Sequence, residues 1–290
     1  MEYSIKGREA LERASRQEGN TRWWTDQTMS YDWKAPIPAD PFSAEWFDAS
    51  DARFLHAARL FTGEENPFSG LMDLASLAGK RVIEIGCGMG YHSELLARSG
   101  AHLTSFDISP TSVEATRRRL ELRGLKAEVE LLDAESVDQT IPASSVDLVW
   151  SWGVIHHSAH TARIVRRLHG LLKPEGRLKL MVYHLGGMSA YYTIVRRYLA
   201  GFWMGRALDD MLWKDADGFT ARFYTRDAWS DLLLAFFDKV EVRVFGQDAD
   251  VVMLPRQVRR PFLSLIPRKH QIALAAHRGS MIYAEASQPN

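Results

Sequence analysis

A chain of 290 residues, 46% hydrophobic and 25% charged, is long enough to bury a full core as one domain with additions. Its 36 basic and 36 acidic residues balance, so no global charge draws it to nucleic acid or membrane. A lone cysteine excludes an internal disulfide framework, and no signal-type or bilayer-length apolar run occurs, which makes cytoplasmic the default localisation.

In chain order, Met1 to Gly19 reads as a polar helix or a frayed terminus. From Arg22 to Phe47, Trp23, Trp24, Tyr31, Trp33, Phe42, Trp46 and Phe47 crowd around Pro36, Pro38 and Pro41. Proline with aromatics predicts an irregular, packed cover rather than a linker. Either these rings only staple the segment to the body, or Tyr31 and Trp33 reach a site. Phe54, Leu55, Ala58 and Leu60 have helical spacing, which predicts a helix from Asp51 to Phe61 capped by Asp51 or Ser50. A loop holding Pro67 and a short apolar helix, Leu71 to Leu77, follow.

Strands and helices then alternate. The predicted strands are Arg81 to Ile85, His102 to Asp107, Ala127 to Leu132, Val146 to Trp150 and Arg177 to Tyr183. The helices between them are Tyr91 to Ser99, Pro110 to Arg123 and Thr161 to Leu172, which implies a parallel sheet covered on both faces. The first strand breaks into Gly86, Cys87, Gly88, Met89 and Gly90 before its helix. Glycine there lets the backbone take positive φ and approach a ligand beside free helix N–H groups. Glu84, two residues before the first glycine, suits a ligand with positive groups rather than a phosphate. Asp107 ends the second strand, where a carboxylate accepts from vicinal ribose hydroxyls in the crevice of an open α/β sheet. Asp133 ends the third and could meet an adenine amino group, or else cap the next turn.

Two long segments interrupt the end of the chain. The first, Gly186 to about Phe237, is dense in aromatics, including Tyr191 and Tyr224, and Thr225 is a predicted N-cap for a helix ending near Phe237. The second separates strands predicted at Lys239 to Phe245 and Ser280 to Ala286. It mixes Arg256, Arg259, Arg260, Arg268 and Lys269 with Leu254, Val258, Phe262, Leu263, Leu265 and Ile266. It is either a solvated basic helix docked by its apolar side or a face for an anionic surface or apolar chain.

Taken together, E-x-G-C-G-x-G at residues 84 to 90, D-I-S at 107 to 109, D-A-E at 133 to 135, the run Val146 to His157 and Leu172 to Leu178 resemble, in order, the motifs of class I S-adenosylmethionine-dependent methyltransferases. The resemblance covers about residues 75 to 185. It implies a Rossmann-like α/β fold of seven mostly parallel strands in the order 3-2-1-4-5-7-6. Residues 1–78 become an N-terminal lid with the first helices, 79–185 the methyl-donor core, 186–237 a helical cap over the acceptor, and 238–290 the last strands with their insertion. By the same resemblance, S-adenosylmethionine lies against Glu84, Gly86, Cys87, Gly88, Gly90, Asp107, Ile108, Asp133, Ala134, Trp150, Ser151 and Trp152, with Glu84 touching its amino group directly or through water. Cys87 serves there as a small residue rather than a nucleophile.

In-line methyl transfer needs alignment and no metal, and a hydroxyl acceptor gains from a base. His157, ahead of His156, is the expected base; the competing role for both is to bond loop backbone or donor carboxylate. Tyr31, Trp33, Tyr183, His184, Tyr191 and Tyr224 are the expected acceptor contacts. No N-P-P-Y motif follows strand four, where the chain has S-W-G-V, and no nucleic-acid module stands apart. The expected acceptor is a small aromatic or amphipathic metabolite. The alternatives are a lipid, quinone or carrier-bound intermediate, or a donor-binding protein without chemistry. A homodimer is compatible with the added segments.

Overall fold

The structure, a computed structural model, describes residues 5–30, 35–201, 212 and 218–289; Tyr31 and Trp33 lie outside them. The sheet comprises β1 (Arg81–Ile85), β2 (His102–Asp107), β3 (Glu128–Leu131), β4 (Val146–Trp152), β5 (Leu172–His184), β6 (Phe223–Tyr224), β7 (Phe237–Phe245) and β8 (Met281–Pro289). Their order is β3-β2-β1-β4-β5-β8-β7, with the two-residue β6 pairing the end of β5. Apart from β6, this is the expected seven-strand order, with β8 antiparallel between β5 and β7.

Alternation along each strand separates two cores. Ile83 and Ile85 of β1 and Val149 of β4 join Trp229 and Phe237 on one face, while Val82, Leu148 and Trp150 join Phe68 and Tyr283 on the other. Both faces are covered because helices flank each, α4 (Tyr91–Arg98) and α5 (Pro110–Leu122) after β1 and β2, and α6 (Thr161–Leu171) before β5. Central strands therefore read as continuous apolar runs, and their bounds match the sequence within a few residues.

The N-terminal region departs from expectation. One helix runs from Ile5 to Asp26, so Trp23 and Trp24 belong to a regular helix rather than to an irregular cover. Apolar residues are sparse in it, so no clear stripe marked it; tertiary contacts, below, hold it in place. The next helix is Ala44–Ala58, not Asp51 to Phe61, because the Ser43 side chain accepts from Trp46 N and starts the helix earlier. Asp51 is instead an ion-pair partner: Arg119, 2% exposed, pairs with Asp51 at 2.5 Å and with Glu94 at 2.7 Å while its guanidinium lies over Phe47 and Tyr91. This buried cluster fastens the second helix to α4 and α5. A short helix, Pro67–Met72, begins at the Asn66 cap, earlier than the apolar stretch suggested.

After β5 come α7 (Met188–Leu199) and α8 (Arg226–Leu234), the latter capped by Thr225 as expected but ending before Phe237, which starts β7. Between β7 and β8 lie α9 (Asp248–Val251), α10 (Arg256–Ser264) and α11 (Arg268–Arg278). None of the described helices is long and apolar enough to cross a membrane.

Glu84 is 1% exposed, and Ser93 and Ser105 both donate to its carboxylate. Burial outweighs these two bonds and pushes its pKa up to about 7. A carboxyl whose folded pKa lies above its unfolded one stabilises fully below the unfolded value, and that contribution is lost as pH rises through the folded value. Between pH 5 and 8 the wild type should therefore lose about 2–3 kcal/mol relative to Glu84→Gln. Urea midpoints of both proteins at several pH values test this; parallel profiles would refute it.

Candidate functional site

A cavity of about 1050 Å3 opens at the C-terminal ends of the parallel strands. Its lining includes Gly86, Cys87 and Gly88 after β1, Asp107 and Ile108 at the tip of β2, Asp133 and Ala134 after β3, Trp152 and His157 after β4, and Tyr183 on β5. These expected residues come together because parallel βα units deliver every strand end to one edge.

The glycines divide by role. Gly88, at φ +53°, has open space where a Cβ would stand, so its backbone faces the cavity unobstructed. Gly90 does not line the cavity; a Cβ there would lie 3.1 Å from the Thr116 backbone, so it permits α4 to pack on α5. Cys87 lines the cavity, but burial and the nearby carboxylates push its thiol pKa well up, which argues against a nucleophile.

Asp107 accepts from Gly88 N at 3.0 Å and from Ser109 N at 2.9 Å. Burial raises its pKa, and these backbone N–H groups oppose the rise. Asp133 accepts from Glu135 N, capping the short turn Ala134–Gln139, and from Gln17 Nε2 at 2.8 Å, so the N-terminal helix reaches the site here.

His157 is the most constrained group. Its Nδ1 lies 2.7 Å from the Thr220 carbonyl, which can only accept, so the proton sits on Nδ1 and Nε2 keeps its lone pair. That Nε2 is buried and has no hydrogen-bond partner among the described residues. Burial outweighs the Thr220 bond and brings the ring's pKa down to about 4, so it is neutral near pH 7. Trp24 packs edge-on against the ring at 5.0 Å.

Several expected contacts do not reach the cavity. Glu84 is turned beneath the loop against Ser93 and Ser105, because strand alternation points it under α4 rather than toward the opening. Trp150, stacked on Trp152 with its Nε1 donating to His92 Nδ1, and Ser151 on the other face of β4 are both buried within the strand. His156 is wholly buried between the rings of His157 and Tyr183, and burial lowers its pKa well below the usual range. His184 donates from Nδ1 to Gly279 O and lies outside the lining. Tyr191 is 56% exposed on α7, and Tyr224 packs against Trp229.

The sequence missed Gln17, Asn20, Met89, His92 and Met181, which line the cavity. Trp24 stood among the noted aromatics, but the polar residues one and two helical turns before it carried no motif. Arg53, His56, Arg259 and Arg260 also line the cavity.

Residues 83–180 match the family described as Methyltransferase domain. Among curated proteins, ubiquinone biosynthesis O-methyltransferase of Nitrosococcus oceani is 30% identical over 138 residues, 44% of this chain and 58% of that one. The chain thus matches little more than half the length of that relative. Among solved structures, geranyl diphosphate C-methyltransferase of Streptomyces coelicolor A3(2) superposes with a TM-score of 0.53 at 16% identity, covering 94% of this chain and 98% of that one. The cyclase SpnF superposes at 0.54 and 17%, covering 95% and 96%. At such identities the two structures show a shared fold, and with the strand order they give this chain a Rossmann-like architecture in which residues 83–180 match the Methyltransferase domain family.

Proposed function

We propose that the protein transfers a methyl group from S-adenosylmethionine to a hydroxyl of an amphipathic aromatic acceptor of the quinol or catechol type. The observation that carries this reading is His157, which lines the same cavity as Gly88 and Asp107 and whose neutral ring keeps a buried Nε2 without a partner among the described residues. Trp152, Met181, Tyr183 and Phe223 supply apolar wall beside it, suited to a flat ring. The relative's name, ubiquinone biosynthesis O-methyltransferase, supports both the oxygen and the ring.

The residues present fit an adenosyl donor. Gly88 leaves room at the loop, and Asp107 offers the carboxylate edge that its two backbone bonds leave over for ribose hydroxyls. When bound, S-adenosylmethionine supplies a methyl already activated on a sulfonium. The chain's own work is then alignment and proton acceptance. His157 Nε2 accepts the acceptor's O–H hydrogen bond and so aims an oxygen lone pair. With a pKa of about 4 it is too weak a base to ionise a phenol beforehand. It takes the proton late, as the oxygen bonds to carbon and the hydroxyl's acidity climbs. Thr220 O holds the ring throughout by its bond to Nδ1–H.

Two outcomes test this. Calorimetric titration with S-adenosylmethionine and S-adenosylhomocysteine should show Asp107→Ala binding weaker by about tenfold to a hundredfold, the loss of one or two charge-assisted hydrogen bonds; equal affinities would remove Asp107 from the site. His157→Gln should retain donor affinity but lose about 10²–10⁴ in kcat on a catechol bearing an alkyl chain. Because the wild-type imidazole is already neutral, its contribution to kcat should stay flat from pH 8 down to 6 and fall only as pH approaches 4. An imidazole-like decline near pH 6.5 that His157→Gln abolishes would contradict the buried, late-acting base.

A further inference from the structure

Helices α7 and α10 are amphipathic in the inverted sense. On α7, Ser189, Ala190 and Thr193 line the cavity, while Tyr191, Val195 and Tyr198, more than half exposed, point away from it. On α10, Arg259 and Arg260 line the cavity with Leu263, while Val258, Phe262 and Leu265 are 48%, 50% and 79% exposed on the opposite side. At 3.6 residues per turn each helix has one face toward the cavity and the other toward solvent, and in a water-soluble helix the apolar residues should occupy the first. The short α9 packs against both helices, so the two outward faces belong to one rim.

Charge points the same way. Residues 186–201 and 252–280 carry eight Arg or Lys and no Asp or Glu, in a chain whose formal net charge is zero. The neighbouring α9 carboxylates are engaged, Asp248 with Arg59 and Asp250 with Ser280. An apolar, tyrosine-bearing rim inside a zone of net positive charge is complementary to an anionic bilayer: the rings sit at headgroup depth and the cations meet the lipid charge.

We propose that α7 and α10 seat the protein on an anionic membrane surface, with the cavity wall that Arg259 and Arg260 line beside the lipid. No span is involved; each helix lies in the interface. The contact stands apart from the acceptor reading, because it uses residues outside the donor and base positions.

The test is co-sedimentation of the full-length protein with vesicles of phosphatidylcholine alone and of phosphatidylcholine containing about one third phosphatidylglycerol. Wild type should bind the anionic vesicles, bind them less as salt rises, and leave the neutral ones largely free. The double variant Tyr198→Glu/Leu265→Glu should bind at least about tenfold more weakly while keeping S-adenosylhomocysteine affinity and melting temperature, and Asp107→Ala should bind vesicles like wild type. Failure of wild type to bind, or equal binding by the double variant, would overturn the proposal. So would a wild-type dimer that the double variant converts to monomer without any vesicle binding, which would assign the rim to a second copy of the chain.

Discussion

The site depends on a buried hydrogen-bond junction centred on His157. Its carbonyl accepts from Asn20 Nδ2 at 2.7 Å and from Thr220 Oγ1 at 2.6 Å, and its Nδ1–H donates to Thr220 O. These residues are separated by 137 positions on one side and 63 on the other, so the junction ties the N-terminal helix, the end of β4 and the insertion after β5 into one roof. Inside a low-dielectric interior such a network is worth most when each member is satisfied. Here only the ring Nε2 is left over. Space is equally restricted: a Cβ at Gly218 would lie 2.6 Å from His157 Nδ1, so the insertion can close over the ring only through a glycine.

Burial, more than pairing, sets the electrostatics around this roof. Desolvation is the largest influence on Glu84, Asp107, His92 and His157, raising the acids and lowering the imidazoles. The consequence is a floor with little net charge except where backbone N–H groups support Asp107. The lining also carries charged side chains of both signs, Asp51, Arg53, Arg59, Asp133, Asp248, Arg259 and Arg260.

How much of this was legible follows from the physics of each element. The central strands were readable because both faces are buried, and the places of Asp107 and Asp133 were readable because βα geometry brings strand tips to one edge, whereas Glu84 turns beneath the loop. The first helix was readable only as one of two alternatives over residues 1–19, and its course to Asp26 and its docking were not, since its anchors, Gln17 and Asn20, are polar residues whose partners lie more than 100 positions away. The start of the second helix was misplaced because Ser50 and Asp51 are cap-type residues too; only the fold reveals that Asp51 neutralises Arg119. Trp150 and Trp152 sit two apart on one strand face and stack, yet only the latter borders the cavity, a distinction set by depth rather than pattern. His156 and His157 lie in one short turn of 3₁₀ helix, Ile155–His157, and sequence spacing alone could not tell which ring would face the opening.

The fold by itself does not decide the chemistry. SpnF, a cyclase, shares nearly the whole architecture with this chain, so the shared sheet and loop cannot distinguish methyl transfer from another use of the same cavity. The distinguishing features are small and local: a carboxylate at the β2 tip with free edges, and an imidazole whose tautomer is imposed by one carbonyl. A buried nitrogen kept without a protein partner is costly, by about 1–3 kcal/mol, unless something else satisfies it. In a cavity large enough for donor and acceptor together, that cost favours a ligand bearing a hydrogen-bond donor, which an O-methylation acceptor is before transfer and is no longer after it. On the proposed reading transfer leaves the proton on Nε2, and burial, which disfavours the charged ring, drives its loss and restores the lone pair for the next hydroxyl.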